Sequence, residues 1–185
     1  VALTAGLAGS DNVAVGAAGT VTVNNIGGTT RAAVTGTDIN KELDNSTSDD
    51  VAVKAQDVTT SESHVGSLAV GIGADGGAGV SAASDTLFLS RKTVAELSGT
   101  DTTKKTVNGR NVAVTADQQS TVVTNADGVA GSGGVYGAGA VAATAAATKL
   151  DGSVTATMKN INSTNKGLEI SAKHDHKTTL VSASA

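Results

Sequence analysis

Three short stretches of the sequence decide the fold: Asp50–Ala55 (DVAVKA), Asn111–Ala116 (NVAVTA) and Gly167–Ala172 (GLEISA). In each stretch, a turn-forming residue precedes apolar and polar residues that alternate and end in alanine. This alternation is the period-2 pattern of a β-strand with one buried face. Because the three stretches follow one another at a spacing of about 60 residues, they indicate an internal repeat.

Two other kinds of segment recur before these stretches in a constant order. Each copy begins with a segment rich in glycine and alanine, which is followed by a short alternating strand. The first kind comprises Gly16–Val23, Gly73–Val80 and Gly133–Val141, and the second comprises Thr30–Gly36, Thr93–Gly99 and Val154–Asn160. The chain is therefore predicted to be a single solenoid segment over 1–185, cut from a longer repetitive protein, with approximate copies at 1–65, 66–128 and 129–185.

Each copy carries three strand-bearing segments of about 20 residues, which is the length of one coil of a parallel β-helix. The sequence therefore predicts an all-β fold, a parallel β-helix (β-solenoid) of about eight or nine coils and about 40 Å in length. Two polar and charged stretches, Asp38–Asp49 and Thr100–Arg110, are predicted to be protruding loops. Any contact with a host surface is expected there, because stacking should occupy the faces of the coils.

The composition favours thin stacked layers over a thick globular core. The chain has 23 Gly, no Pro, no Trp, one Tyr and one Phe. Proline would remove a backbone donor from a strand paired on both sides, and large aromatic residues normally fill a globular core. Glycine is expected at tight corners that need φ > 0, or where another backbone comes close. Valine at Gly77 or Gly137 should therefore disturb a coil.

Charge and the absence of cysteine limit the partners. The net charge is −4, and no basic cluster exceeds the pairs Arg91-Lys92 and Lys104-Lys105, so no nucleic-acid partner is expected. No stretch reaches the roughly 18 apolar residues of a membrane helix, so membrane contact is expected only through parts outside this segment. The absence of Cys is compatible with export.

The repeats resemble those of large leukotoxin-type and filamentous-haemagglutinin-type exoproteins of Gram-negative bacteria. The similarity lies in the small-residue coil, in the Thr-x-Ala-x-Val/Leu step of Thr30–Val34 and Thr93–Leu97, and in the Asn-Val-x-Val-x-Ala step of Asn111–Ala116. The resemblance implies a right-handed β-helical passenger, exported by two-partner secretion or as an autotransporter and secreted or held at the outer membrane. It further implies adhesion or host-cell damage, with a host-cell-surface or extracellular-matrix ligand as partner beside neighbouring repeats of the same chain. It supplies no catalytic residue.

Two glycine-containing motifs resemble known ligand-binding motifs. Gly71–Gly76 (GIGADG) matches the dinucleotide-binding fingerprint, and Glu96 lies where a ribose ligand would be expected. That fingerprint needs a helix to receive the pyrophosphate, whereas similar glycine-rich segments recur here in every copy. Asp75–Gly77 and Asp127-Gly128 resemble calcium-binding nonapeptide repeats but lack their strict Gly-Gly-x-Gly-x-Asp frame. Both motifs are therefore interpreted as parts of the repeat.

His174 and His176 are the other candidates for a metal site. Two residues apart on a strand, they should lie on the same side, as a metal pair requires. No third ligand is evident, so they are interpreted as a solvated pair. No catalytic, cofactor-binding or metal-binding residue is predicted, and no cofactor.

Two other classes of protein remain as alternatives to a structural or adhesive segment. A carbohydrate-active β-helix enzyme needs convergent carboxylates beside sugar-stacking aromatic residues. The acids cluster instead in a predicted loop, as Glu42, Asp44, Asp49 and Asp50, and aromatic residues are almost absent. The second alternative is a segment of a trimeric fibre or spike. We therefore expect a stiff, non-enzymatic spacer with an adhesive role.

Overall fold

The computed structural model describes residues 1–42 and 49–185. In these residues the chain is all-β, with nine strands and no helix. The strands are β1 (Ala2–Ser10), β2 (Val13–Thr35), β3 (Val51–Gly73), β4 (Gly76–Ser98), β5 (Lys105–Asn108), β6 (Asn111–Gly133), β7 (Ala138–Lys159), β8 (Ile161–Thr164) and β9 (Gly167–Ser184). Strands β2, β3, β4 and β6 each contain 23 residues, several times the usual strand length.

The strands form stacked parallel sheets. Sheet A contains β1, β3, β6 and β9 in that order, sheet B contains β2, β4 and β7, and sheet C contains β5 and β8. Each strand lies parallel to its equivalent in the next copy of the repeat. This arrangement is that of a parallel β-solenoid, which confirms the predicted fold class.

The vertical registry expected from the repeat is also confirmed. In sheet A, Ala55 lies beside Ala116, and Ala116 lies beside Ala172. The alanines of the alternating strands are stacked in the same way in sheet B. Equivalent side chains of neighbouring rungs therefore lie next to each other, so small residues can fill a thin interior.

The predicted number of coils is wrong. Because each residue pairs with the residue about 60 positions further on, one circuit uses a whole copy, and the chain makes about three circuits. The first and last strands of sheet A, β1 and β9, lie about 14 Å apart, whereas a length of about 40 Å was predicted. The segments taken as separate coils are successive parts of one circuit. For example, Gly16–Val23 and most of Thr30–Gly36 lie on the same long strand, β2.

The register of the glycine-rich segments also differs from the sequence alignment. Gly16 lies beside Gly79, not beside Gly73. A run of glycine and alanine matches itself in many registers, so composition cannot choose among them. The register is fixed by the two-residue turns Asp11-Asn12 and Ala74-Asp75, which occupy equivalent positions in the first two rungs.

Sheets A and B pack face to face, and the buried side chains become smaller along the strands. We call the end with the turn between β3 and β4 the bend end, and the opposite end, where sheet C lies, the corner end. At the corner end, Leu97 and Val112 belong to the largest buried apolar cluster. Further along, Leu89 is buried, followed by Ala83 and Ala126. The interior therefore narrows toward the bend end.

At the bend end the two backbones come so close that only glycine fits. A Cβ atom added to Gly77 would overlap the carbonyl oxygens of Gly71 and Gly133. Close approach, not a tight corner, explains these glycines, because Gly36 is the glycine in the described residues with positive φ. The expectation for Gly77 is supported. The expectation for Gly137 is wrong, because a Cβ atom there would have no neighbour within 4 Å.

The stretch Thr100–Arg110 is not simply a protruding loop. Its residues Lys105–Asn108 form β5, which pairs with β8. The side-chain amide of Asn108 donates to the backbone carbonyl of Asn40 at 3.2 Å, and the amide of Asn40 donates to the carbonyl of Asn108 at 3.0 Å. These bonds join the corners of neighbouring rungs, so the prediction of a loop is wrong for β5.

The other predicted loop, Asp38–Asp49, begins inside the corner. The carboxylate of Asp38 accepts a hydrogen bond from the backbone N–H of Thr106 at 2.8 Å, which lowers the pKa of Asp38. Ile39 forms a parallel bridge with Val107. Residues 43–48, including Asp44, lie outside the described residues.

Candidate interaction face

The dinucleotide-like motif lies around the bend and not at the start of a helix. Gly71 and Gly73 end β3, and Gly76 begins β4. A Cβ atom at Gly71 would overlap the carbonyl oxygen of Ala78. The glycines are explained by the contact between the sheets, and the motif lacks the helix N-terminus that would bind a pyrophosphate. Glu96, the expected ribose ligand, accepts a hydrogen bond from Arg31 at 2.7 Å instead.

The structure places the two histidines as expected. His174 and His176 lie on the same side of β9, with ring centroids 3.8 Å apart, and both are exposed. Partial desolvation, and then the neighbouring His174, lower the pKa of His176. In the described ranges, no three His, Cys, Asp or Glu side chains are grouped as a metal ion would require.

Exposed ion pairs connect neighbouring rungs at the corner end. Arg110 donates from Nε and Nη2 to the two carboxylate oxygens of Asp50, at 3.0 Å each. This pairing lowers the pKa of Asp50, and the hydrogen bond from Arg31 lowers the pKa of Glu96. Asp50 therefore has a structural role in holding two rungs together.

A buried ion pair crosses the interior between the sheets. Arg91 donates from Nε to Oδ2 of Asp57 at 2.9 Å, and its Nη2 lies 2.7 Å from the same oxygen. The Asp57 side chain is 2% exposed and also accepts hydrogen bonds from Thr30 and Thr59. Gly28 lies beside Arg91 in sheet B, where a Cβ atom would overlap the guanidinium. The carboxylate is occupied by these donors, and the Arg91 side chain is 21% exposed, so the pair belongs to the packing between the sheets.

Asp85 also has a buried carboxyl group, in the interior beneath sheet B. Its side chain is 0% exposed, and neither carboxylate oxygen has a hydrogen-bond partner among the residues that the structure describes. Its neighbours in sheet B are Thr22 and Ala146. Burial of an unpaired polar group costs about 1–3 kcal/mol, and more if the group is charged.

Asp85→Val is therefore expected to raise the free energy of unfolding by about 2 kcal/mol, since valine has a similar volume and needs no partner. Urea unfolding followed by far-ultraviolet circular dichroism measures the change. The matched control is Asp151→Val, because Asp151 lies on the same sheet with an exposed side chain and should change stability little. A loss of stability in Asp85→Val would contradict the absence of a partner.

The outer side of sheet B carries an extended apolar surface next to the bend end. We call this surface the apolar face, which comprises the outward side chains within 13–23, 76–86 and 139–147. Val21 is 77% exposed there, and Val15, Val80 and Val141 are also exposed. Every outward residue of these three ranges is Gly, Ala, Val, Ser or Thr, and Asp85 points inward. The outward side chains of the apolar face thus carry no charge.

Charged side chains border the apolar face on sheet B, where Lys92, Lys149 and Asp151 lie on the outer side beyond 86. The outer side of sheet A also exposes apolar side chains near the bend end, such as Leu7 and Ile72, but it carries Asp127 among them. Exposed apolar patches of several hundred Å² on soluble proteins usually mark interaction sites. The apolar face was not predicted from the sequence, because stacking was expected to occupy the faces of the coils.

The described part of the chain has no helix long and apolar enough to cross a membrane. Comparison of the chain with known protein families, with curated proteins and with solved structures finds no significant match. The geometry of the stacked sheets is therefore the basis for a functional proposal.

Proposed function

We propose that the chain is a structural and adhesive segment of a secreted or surface-displayed bacterial exoprotein of the filamentous-haemagglutinin or leukotoxin type. The observation that carries the proposal is the uninterrupted parallel ladder over strands of 23 residues, in which side chains are stacked rung by rung. Such a ladder suits a spacer, because each rung contacts only its neighbours and further rungs extend the same axis. The segment would be located outside the cell or at the outer membrane.

Stiffness in this proposal comes from the backbone and from ties between rungs. Hydrogen bonds between parallel strands run along the stack, and strands of 23 residues place many of them between neighbouring rungs, which resists bending of the stack. The pair of Arg110 with Asp50 and the reciprocal amides of Asn40 and Asn108 add side-chain ties at the corner. The segment would hold other domains, or its own adhesive surface, away from the cell.

The contacts of the acidic side chains agree with a non-enzymatic role. Asp57, Asp50 and Glu96 are each bonded to an arginine, which leaves them committed to the fold. Tyr136 and Phe88 are the aromatic residues of the chain, and they lie on the separate elements of the third bend and β4. A glycosidase needs two carboxylates across one sugar ring, and no observation favours such an arrangement here.

Single-molecule force spectroscopy tests the spacer role. Pulled along the stack axis, the chain should unfold in discrete steps of about 20 nm, the extended length of one rung of about 60 residues. Beads coated with the folded chain should bind host cells or extracellular matrix, and heat-unfolded chain serves as the control. Featureless extension without steps would refute the spacer role, absence of binding would refute the adhesive role, and release of reducing sugar from a glycan panel would favour an enzyme.

A further inference from the structure

We propose that the apolar face binds the same face of a second copy of this chain, so that two solenoids pack with sheet B against sheet B. This goes beyond the proposed function, because a spacer needs no lateral partner. Adjacent sheets in proteins pack through flat apolar faces about 10 Å apart, which is the geometry that this surface offers.

The size of the apolar face agrees with a weak dimer. Strands β2 and β4 contribute 11 residues each and β7 contributes nine. The face therefore extends about 36 Å along the two longer strands, and its three strands, each about 4.8 Å wide, cover about 14 Å across. Two copies would then bury about 1,000 Å² together, near the lower limit for a specific interface. Association should therefore depend on concentration, with a dissociation constant in the micromolar range or weaker.

The chemistry of the face favours a second copy over a charged or carbohydrate ligand. A charged ligand would find no opposite charge among the outward side chains of the three ranges, and burial of an unpaired charge is costly. The face carries no aromatic side chain on which a sugar could stack. A second copy brings an equally uncharged surface, so no charge repulsion arises, and Ser84 and Thr86 are the polar side chains of β4 that such a contact would cover.

The apolar face has a ridge and a trough that fit those of a second copy. The outward row Ala17, Val80 and Val141 forms a ridge. Next to it, a trough of about 270 Å³ lies over the small residues Gly19, Ala82 and Ala143. Consider two copies related by a two-fold axis that is parallel to the stack and lies between the ridge and the trough. The ridge of each copy then lies over the trough of the other. The contact is then isologous and closes as a dimer.

Sedimentation velocity of the chain over a range of about 1 to 200 μM tests this proposal against the expected micromolar affinity. Val80→Asp should raise the dissociation constant at least about tenfold, because the two-fold axis places a carboxylate in each trough. Val129→Asp is the matched control, since Val129 is 48% exposed on the outer side of sheet A and Val80 is 46% exposed. The control should leave the constant unchanged within about twofold. Urea midpoints confirm that both variants fold.

Cysteine cross-linking tests the register, because the chain has no Cys of its own. A mixture of Val80→Cys and Ala82→Cys should form disulfide dimers in higher yield than either variant alone, since ridge and trough residues face each other. A chain that stays monomeric at all concentrations, or a dimer that Val80→Asp does not weaken more than Val129→Asp, would overturn the proposal. A monomer that binds phosphatidylcholine vesicles through Val80 would assign the face to a lipid surface and overturn it as well.

Discussion

Gly77→Ala is expected to lower the free energy of unfolding by about 3 kcal/mol, an unusually large effect for one methyl group. The added Cβ atom would overlap two backbone carbonyl oxygens, those of Gly71 and Gly133. These oxygens belong to β3 and β6 of sheet A, which face Gly77 across the interior. Backbone atoms cannot change rotamer, so sheets A and B must separate, and the contacts around the bend end are lost.

The matched control is Gly137→Ala in the third bend, where a Cβ atom has no neighbour within 4 Å and φ is not positive. This variant should be neutral or slightly stabilising, by up to about 1 kcal/mol, because alanine restricts the unfolded chain. Urea unfolding of the two variants beside the parent chain gives the comparison. Equal midpoints for Gly77→Ala and Gly137→Ala would show that the sheets are not in backbone contact at the bend.

Repeat spacing made the fold class and part of the registry predictable. The stretch Asp50–Ala55 and its two equivalents carry strong alternation and recur at a nearly constant distance, so their stacking followed directly. The length of the strands could not be read in the same way. After Ala55, β3 continues through Gln56–Ser63 (QDVTTSES), where both faces carry mainly polar residues. The alternation between apolar and polar residues ends there although the strand continues, so the sequence gives no signal for the length of β3 beyond Ala55.

Polar contacts between the two sheets explain why the interior tolerates polar residues. Asp57 is bonded to Arg91, and Ser67 lies 2.6 Å from Ser81 across the interior. Such pairs satisfy each other across the sheets, and their partners are far apart in sequence, so no local pattern reveals them. The apolar face had a local signal. Residues 13–30 and 128–148 contain no charged residue, and the strand pattern places half of their side chains outside.

Asp57→Asn is expected to lower the free energy of unfolding by about 3 kcal/mol, because it leaves the Arg91 guanidinium between the sheets without its counter-charge. The Arg91 side chain is only 21% exposed, so water can compensate a small part of the loss. Asparagine keeps the shape of the side chain and one acceptor oxygen for Arg91, so the loss of the negative charge is the main change. The urea midpoint at neutral pH measures it.

Two further variants separate loss of the pair from loss of a negative charge. Asp50→Asn removes an equally well-bonded carboxylate from Arg110, but both side chains are about half exposed, so its midpoint should move little. The double variant Asp57→Leu with Arg91→Met should recover most of the stability, since apolar residues of similar volume replace both charges. Equal losses in Asp57→Asn and Asp50→Asn would mean that water reaches Arg91. A double variant no more stable than Asp57→Asn would mean that the pair is required for sheet packing itself.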